Sequence, residues 1–295
     1  MMQQPHRYFE RAKRLGIHTL LVMWSVVCLF PIYWVTIASF KDANGIDSPA
    51  SYLPFVHFAP TLDAWRFILG DAQESLVPRA AHSLIIGVSA TLATLVIGGM
   101  AAYGVTRFGR RSNGLALMAI LLGTRILPPV VIALPLYVLA QQAGMLDTKS
   151  ILILVYTAIN LPIAVWMLAA AFGERATEQE EAASLEGASH LHIFFFILLP
   201  MVKTAIITVG LLIFIQCWNE YLFAAYLTSD HALTIPPWMV GQVSIKEAQT
   251  GGGSEDLAHL AAATVVMALP VLALTIIAAR SVTRLLRPRL FNNKR

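Results

Sequence analysis

Six apolar runs constrain this chain more than any other feature. They span residues 15–40, 82–104, 114–140, 151–172, 204–227 and 257–279. Each exceeds the roughly 20 residues that cross about 30 Å of hydrocarbon at about 1.5 Å per helical residue. Only 13% of the chain is charged and 57% is hydrophobic, whereas soluble domains carry roughly 25% charged residues. The expected fold is therefore an all-α membrane protein with six transmembrane helices. The N-terminal run is too long for a signal-peptide core, and no small-x-small cleavage site closes it, so it reads as an uncleaved first span.

The placement of cations sets the orientation. The segments 1–14, 105–113, 173–203 and 280–295 hold 15 of the 21 Lys and Arg residues. The basic side faces the cytoplasm, which puts both termini there and turns the loops at 41–80, 142–149 and 228–256 outward. This placement accounts for the net charge of +4 and the pI near 9.2 without nucleic acid. The expected organisation is a cytoplasmic N-terminus at 1–14, a single transmembrane domain at 15–281 and a basic cytoplasmic tail at 282–295. The second run is rich in small residues (Gly87, Ala90, Ala93, Gly98, Gly99, Ala101, Ala102), as close helix packing in membranes requires. The third run is interrupted by Pro128, Pro129 and Pro135, and the fourth by Pro162. Thr61 before Leu62-Asp63-Ala64-Trp65 marks a helix start in the first outer loop.

Between the fourth and fifth runs lies a polar break, 173–200, that contains Glu181-Ala-Ala-Ser-Leu-Glu-Gly-Ala188. Thr177 and Glu180 have the spacing of a capping box, so a short helix starts near Thr177. Gly187 suits the left-handed residue that ends such a helix, and Pro200 closes the segment. Ala182 and Ala183 leave room for the backbone or large side chains of another protein. An ordinary capped helix between two spans satisfies the same spacing.

Ionisable groups inside the runs mark function by default. Arg125 falls about mid-depth in the third span by the rise of about 1.5 Å per residue, and Glu220, beside Asn219, is its expected partner from the fifth. The pair serves equally as a structural lock or as part of a translocation path. Asn160, before Pro162, is expected to satisfy backbone carbonyls freed by the proline. His190 and His192 lack further ligands at metal spacing. His259 lacks a serine-protease motif around it, and catalytic residues are not expected. The tryptophans read as interface anchors or core. Cys28 and Cys217 lie in apolar runs and imply no disulfide framework. The phosphate-binding pattern Gly-x-x-x-x-Gly-Lys followed by Ser or Thr does not occur, so any ATP-driven step needs another subunit.

Glu181, Ala182, Ala183, Gly187, Ile197, Leu199 and Pro200 match in register the cytoplasmic signature loop of ABC importer permeases, with Glu186 where Asp is usual. Pro135-Leu-Tyr137, Gly144-Met-Leu-Asp-Thr148, Leu161-Pro-Ile-Ala-Val-Trp166, Trp218-Asn-Glu-Tyr-Leu-Phe223 and Thr234-Ile-Pro236 extend the likeness. Together they resemble the smaller permease of maltose-permease-type carbohydrate importers, in the binding-protein-dependent inner-membrane component family. That resemblance implies a second, different permease, two ATPase subunits that carry ATP and Mg, and an extracytoplasmic solute-binding protein. Glu181, Ala182, Ala183, Glu186 and Gly187 would form the ATPase-docking coupling helix. ATP-driven closure of the ATPases would move it and open the path outward, and a loop within 228–256 would reach into the binding protein. No cofactor is expected in this chain itself. An ion-coupled secondary transporter and a non-transporting membrane scaffold are the alternative readings.

Overall fold

The computed structural model describes residues 4–41, 52–70, 75–108, 114–175, 177–241 and 254–291. Among these residues the secondary structure is helical, apart from a single isolated bridge between Pro54 and Phe58. Among the described residues four helices are long and apolar enough to cross a membrane, and up to six spans result if two sharply bent helix pairs each count as one. The chain divides into two compact units, Met1–Ser75 with Gln242–Leu269 and Leu76–Gly241 with Pro270–Arg295.

The first unit holds α1 (Gln4–Ala38) and α2 (Asp63–Leu69). Within α1 the span Lys13–Ala38 is only 6% buried. At its end Lys41 is 2% exposed, with its ammonium 4.4 Å from the Trp34 ring centre and 5.2 Å from that of Phe58. Burial pushes its pKa down, and the two ring faces offset part of that cost. Helix α2 starts two residues after the expected Thr61: Leu62 is the N-cap and no side chain caps it. The Thr61 hydroxyl is buried, while its backbone N–H donates to the carbonyl of Phe40 at 2.8 Å. His259 stacks on Phe67 with ring centres 4.0 Å apart, a packing role.

The second unit is built on α3 (Leu76–Phe108). It packs against α6 (Lys149–Arg175) and α9 (Lys203–Trp218). The small residues of α3 make this possible. A Cβ at Gly98 would lie 3.1 Å from that of Ala164 on α6, and one at Gly87 would lie 3.2 Å from the Phe214 ring on α9. From the other side, a Cβ at Gly210 of α9 would meet Leu95 at 3.0 Å. The pairings 98 with 164 and 107 with 172 run α3 and α6 parallel, and 87 with 214 against 95 with 210 runs α9 antiparallel to them. Ala90, Ala102, Leu152, Ala164, Leu168, Phe172 and Ile213 form the centre of this core.

The third apolar run, expected over 114–140 as one span interrupted by prolines, is divided. It forms α4 (Gly114–Gly123), a 3-10 turn over Thr124–Ile126, and α5 (Pro129–Gln142). The two arms meet at 93°. The cause is local: Leu127 and Pro128 are extended, with ψ of 128° and 130°, as a residue before proline must be. The fifth run is likewise divided into α9 and α10 (Leu222–Leu227). Gly251–Gly253 and Arg110–Arg111 lie outside the described residues.

At the end of the unit where α3 begins, Asp147 holds two loops together. It has φ +55°, a left-handed turn that Asp tolerates. Its carboxylate accepts the backbone N–H groups of Ser229, Asp230, His231 and Ala232 at 3.0–3.2 Å, and the Ser229 hydroxyl at 3.1 Å. Burial alone would raise its pKa, but these four donors outweigh it and hold the carboxyl at about 2. The folded value lies below the ordinary 3.8, so the stabilisation is complete above 3.8 and disappears as pH falls through about 2. Asp147→Ala should cost about 1–3 kcal/mol by leaving N–H groups without their acceptor. The check is chemical denaturation of the detergent-purified protein; an unchanged midpoint at neutral pH would contradict this.

Candidate functional site

The polar break folds as α7 (Thr177–Leu185), followed by a second helical segment, α8 (His190–Met201). Gly187 ends α7 at φ +87°. The Ala188 N–H donates to the carbonyl of Ala183 at 3.0 Å, and the Gly187 N–H to that of Ser184 at 3.1 Å. These are the two bonds of a Schellman C-cap. Ser189 then starts α8, its hydroxyl accepting the His192 N–H at 3.3 Å. His190 and His192 therefore sit at a helix start, and His192 stacks on Phe196.

Two adjacent acids on α7 face opposite ways. Glu181 is exposed, with Ala182, Ser184 and Glu186 exposed beside it and Leu185 90% exposed. Glu180 is buried. The expected capping box gave Glu180 only a helix-start role; instead its carboxylate takes a bidentate ion pair from Arg107 at the end of α3, with Nη2 to Oε1 at 2.6 Å and Nε on Oε2. Arg107 Nη2 also donates to the carbonyl of Phe172 at 3.2 Å, near the end of α6. Side-chain exposure is 19% for Arg107 and 7% for Glu180, and removing one partner of such a buried pair costs about 3–5 kcal/mol. The partners stand 73 residues apart, and no sequence spacing pointed to them.

Helix α8 contains a π-helical stretch over Ile193–Leu198. Phe194 turns inward against Tyr103 and Phe172, with ring centres 5.2 Å and 6.4 Å away, while Phe195 and Phe196 are exposed. Pro200 supplies no N–H to continue the ladder, and α8 meets α9 at a bend of 80°.

The intramembrane groups are arranged differently from the expected Arg125–Glu220 pair. Arg125 lies in the 3-10 turn at the break of the third run, and its Nη2 donates to Oδ1 of Asn160 at 3.2 Å. Asn160 is 2% exposed. Its Nδ2 donates to the carbonyl of Tyr156 at 2.8 Å and reaches Cys217 Sγ at 3.5 Å. That carbonyl lies one turn back; the one that Pro162 leaves without a donor is that of Ala158. Glu220 accepts the Tyr156 hydroxyl at 2.7 Å and caps α10, taking the N–H groups of Phe223 at 2.8 Å and Ala224 at 3.1 Å. The two expected partners thus belong to one polar strip along α6, with Asn160 and Tyr156 between them. The reason is backbone demand: Glu220 sits at the start of a new helix, whose unpaired N–H groups claim its carboxylate. Asn219 is exposed at the end of α9, its Nδ2 on the carbonyl of Ile215 at 2.8 Å.

Residues 94–292 match the family described as binding-protein-dependent transport system inner membrane component. The chain belongs to that family. It is a transport permease of the inner membrane and not an enzyme. The permease is 28% identical over 270 residues to the trehalose/maltose transport system permease protein MalG of Thermococcus litoralis, covering 91% of this chain and 93% of that one. It is 31% identical over 257 residues to the diacetylchitobiose uptake system permease protein NgcG of Streptomyces coelicolor, covering 86% and 81%. Among solved structures, a bacterial ABC transporter involved in import of the acidic polysaccharide alginate shares its fold, with a TM-score of 0.70 at 19% identity over 95% of this chain and 98% of that one.

Double-mutant cycles on stability test the polar strip. Tyr156→Phe with Glu220→Gln should couple by about 0.5–3 kcal/mol, and Arg125→Gln with Glu220→Gln should add to within about 0.5 kcal/mol. Strong coupling of Arg125 with Glu220 would restore the direct ion pair. Gly187→Val should strain the C-cap by about 1–2 kcal/mol yet leave the permease inserted, which protease protection of membrane vesicles reads out.

Proposed function

We propose that this permease forms half of the translocation path of an ATP-driven, binding-protein-dependent importer for a carbohydrate or a related polar solute. The observation that carries this reading is the exposed face of α7, capped at Gly187, in a chain of this transport family. Glu181, Ala182, Ala183, Glu186 and Gly187 present a small, polar surface that an ATPase subunit would receive. The relatives act on trehalose, maltose and diacetylchitobiose by their names, which favours a saccharide.

In this reading each bent helix pair counts as one span, giving six spans with both termini cytoplasmic. The Arg107–Glu180 end of the second unit faces the cytoplasm and the Asp147 end faces outward. ATP and Mg are handled by two ATPase subunits, and a solute-binding protein delivers its cargo from outside. Helix α1 meets lipid or a second, different permease. Arg125, Asn219 and Glu220 lie along the path, where their hydrogen-bonding groups would meet solute hydroxyls.

The mechanism follows from packing. Binding of ATP moves the ATPases together and carries α7 with them. Because α3, α6 and α9 pack in close contact, displacement at α7 would rotate them as a body and alternate access. The test is affinity purification of the tagged permease from gently solubilised membranes, with its partners identified by mass spectrometry. An ATPase subunit, a second permease and a binding protein should copurify. A chain that remains alone even after crosslinking in the membrane would overturn the proposal.

A further inference from the structure

We infer that Arg107 and Glu180 form a transmission clamp, a pair of positioning residues that carries movement of α7 directly into α3. The inference rests on the importer reading and specifies how its docking helix is linked to the membrane core.

Along the chain, α7 is joined only to α6 before it and α8 after it. Helix α3 lies remote in sequence, yet it is the helix on which the second unit is packed. The Arg107–Glu180 ion pair joins α7 to α3. Its form suits force transmission. Two parallel N–H to oxygen bonds fix direction as well as distance. The third donor of Arg107 goes to the carbonyl of Phe172, so the same guanidinium ties the ends of α3 and α6 to the carboxylate. The Tyr103 ring lies 5.9 Å from the guanidinium carbon and packs on Phe194 of α8. The clamp therefore sits where α3, α6, α7 and α8 converge.

Adjacent positions on α7 divide the labour. Exposed Glu181 belongs to the face offered to the partner, and buried Glu180 belongs to the face that grips the membrane core. Breaking the clamp should leave the outer face intact and disconnect it from α3. The expected phenotype is uncoupling: the ATPase stays docked while its nucleotide cycle no longer reaches the spans.

The experiment is amide hydrogen exchange on the purified importer complex in lipid nanodiscs, with and without trapping by Mg-ATP and orthovanadate. In the native complex, peptides covering 100–107 and 177–188 should both change exchange on trapping. In Glu180→Gln and in Arg107→Gln the ATPase should still copurify and 177–188 should still respond, while 100–107 loses its response. Arg107→Lys, which keeps the charge, should retain part of it. A response of 100–107 equal to native in both Gln variants would overturn the clamp. So would loss of the ATPase from the Glu180→Gln complex, which would make Glu180 a docking residue. Failure of the native chain to retain any ATPase would instead count against the importer reading itself, before any variant is compared.

Discussion

Hydrocarbon offers no hydrogen-bond partner, and every break in a membrane helix must be satisfied from within the protein. The second unit is organised around that demand. The break after α9 exposes the first N–H groups of α10, and Glu220 covers two of them. The break in the third run is followed by α5, whose first residue is Pro129, a residue with no N–H to satisfy. Near its other side the Thr124 hydroxyl donates to the carbonyl of Leu121. Asn160 and Tyr156 then connect the two breaks through α6. A polar strip that would be costly in lipid is thereby tied to backbone needs at its Glu220 end.

Close packing and polar satisfaction act together here. Gly87, Gly98 and Gly210 bring α3, α6 and α9 into contact distance, which lets Asn160 on α6 reach Cys217 on α9. At the other ends of these helices the polar links are charged. Asp147 gathers the backbone of 229–232 where α3 begins, and Arg107 joins α6 and α7 where it ends. The core thus has one fixed polar linkage at each end.

The spans and α7 were legible in the sequence because their signals are local. Apolar length and the Thr177 to Gly187 pattern each depend on residues within a few turns of one another. Helix α7 ends on Gly187 with the two bonds that its sequence implied. The sequence also showed where the third run is weak, at Pro128-Pro129, but not that its arms would turn by 93°. A proline pair interrupts the helical ladder but specifies no angle between the two arms. The Arg125–Glu220 pair followed from charge matching alone and missed the helix start beside Glu220, whose N–H groups compete for the carboxylate.

Taken alone, the sequence determined that this chain is helical, crosses a membrane repeatedly, and carries a capped polar helix between two spans with small residues at its surface. These properties follow from hydrophobic length, backbone satisfaction and turn chemistry, which act over short stretches. The tertiary structure alone decided which charged groups meet. Glu180 and Glu181 are chemically alike and adjacent, yet helical rotation of about 100° per residue sends one inward to Arg107 and leaves the other exposed. Arg107 reaches Glu180 only because α3 and α6 run parallel and end together, an outcome of packing that no local pattern encodes.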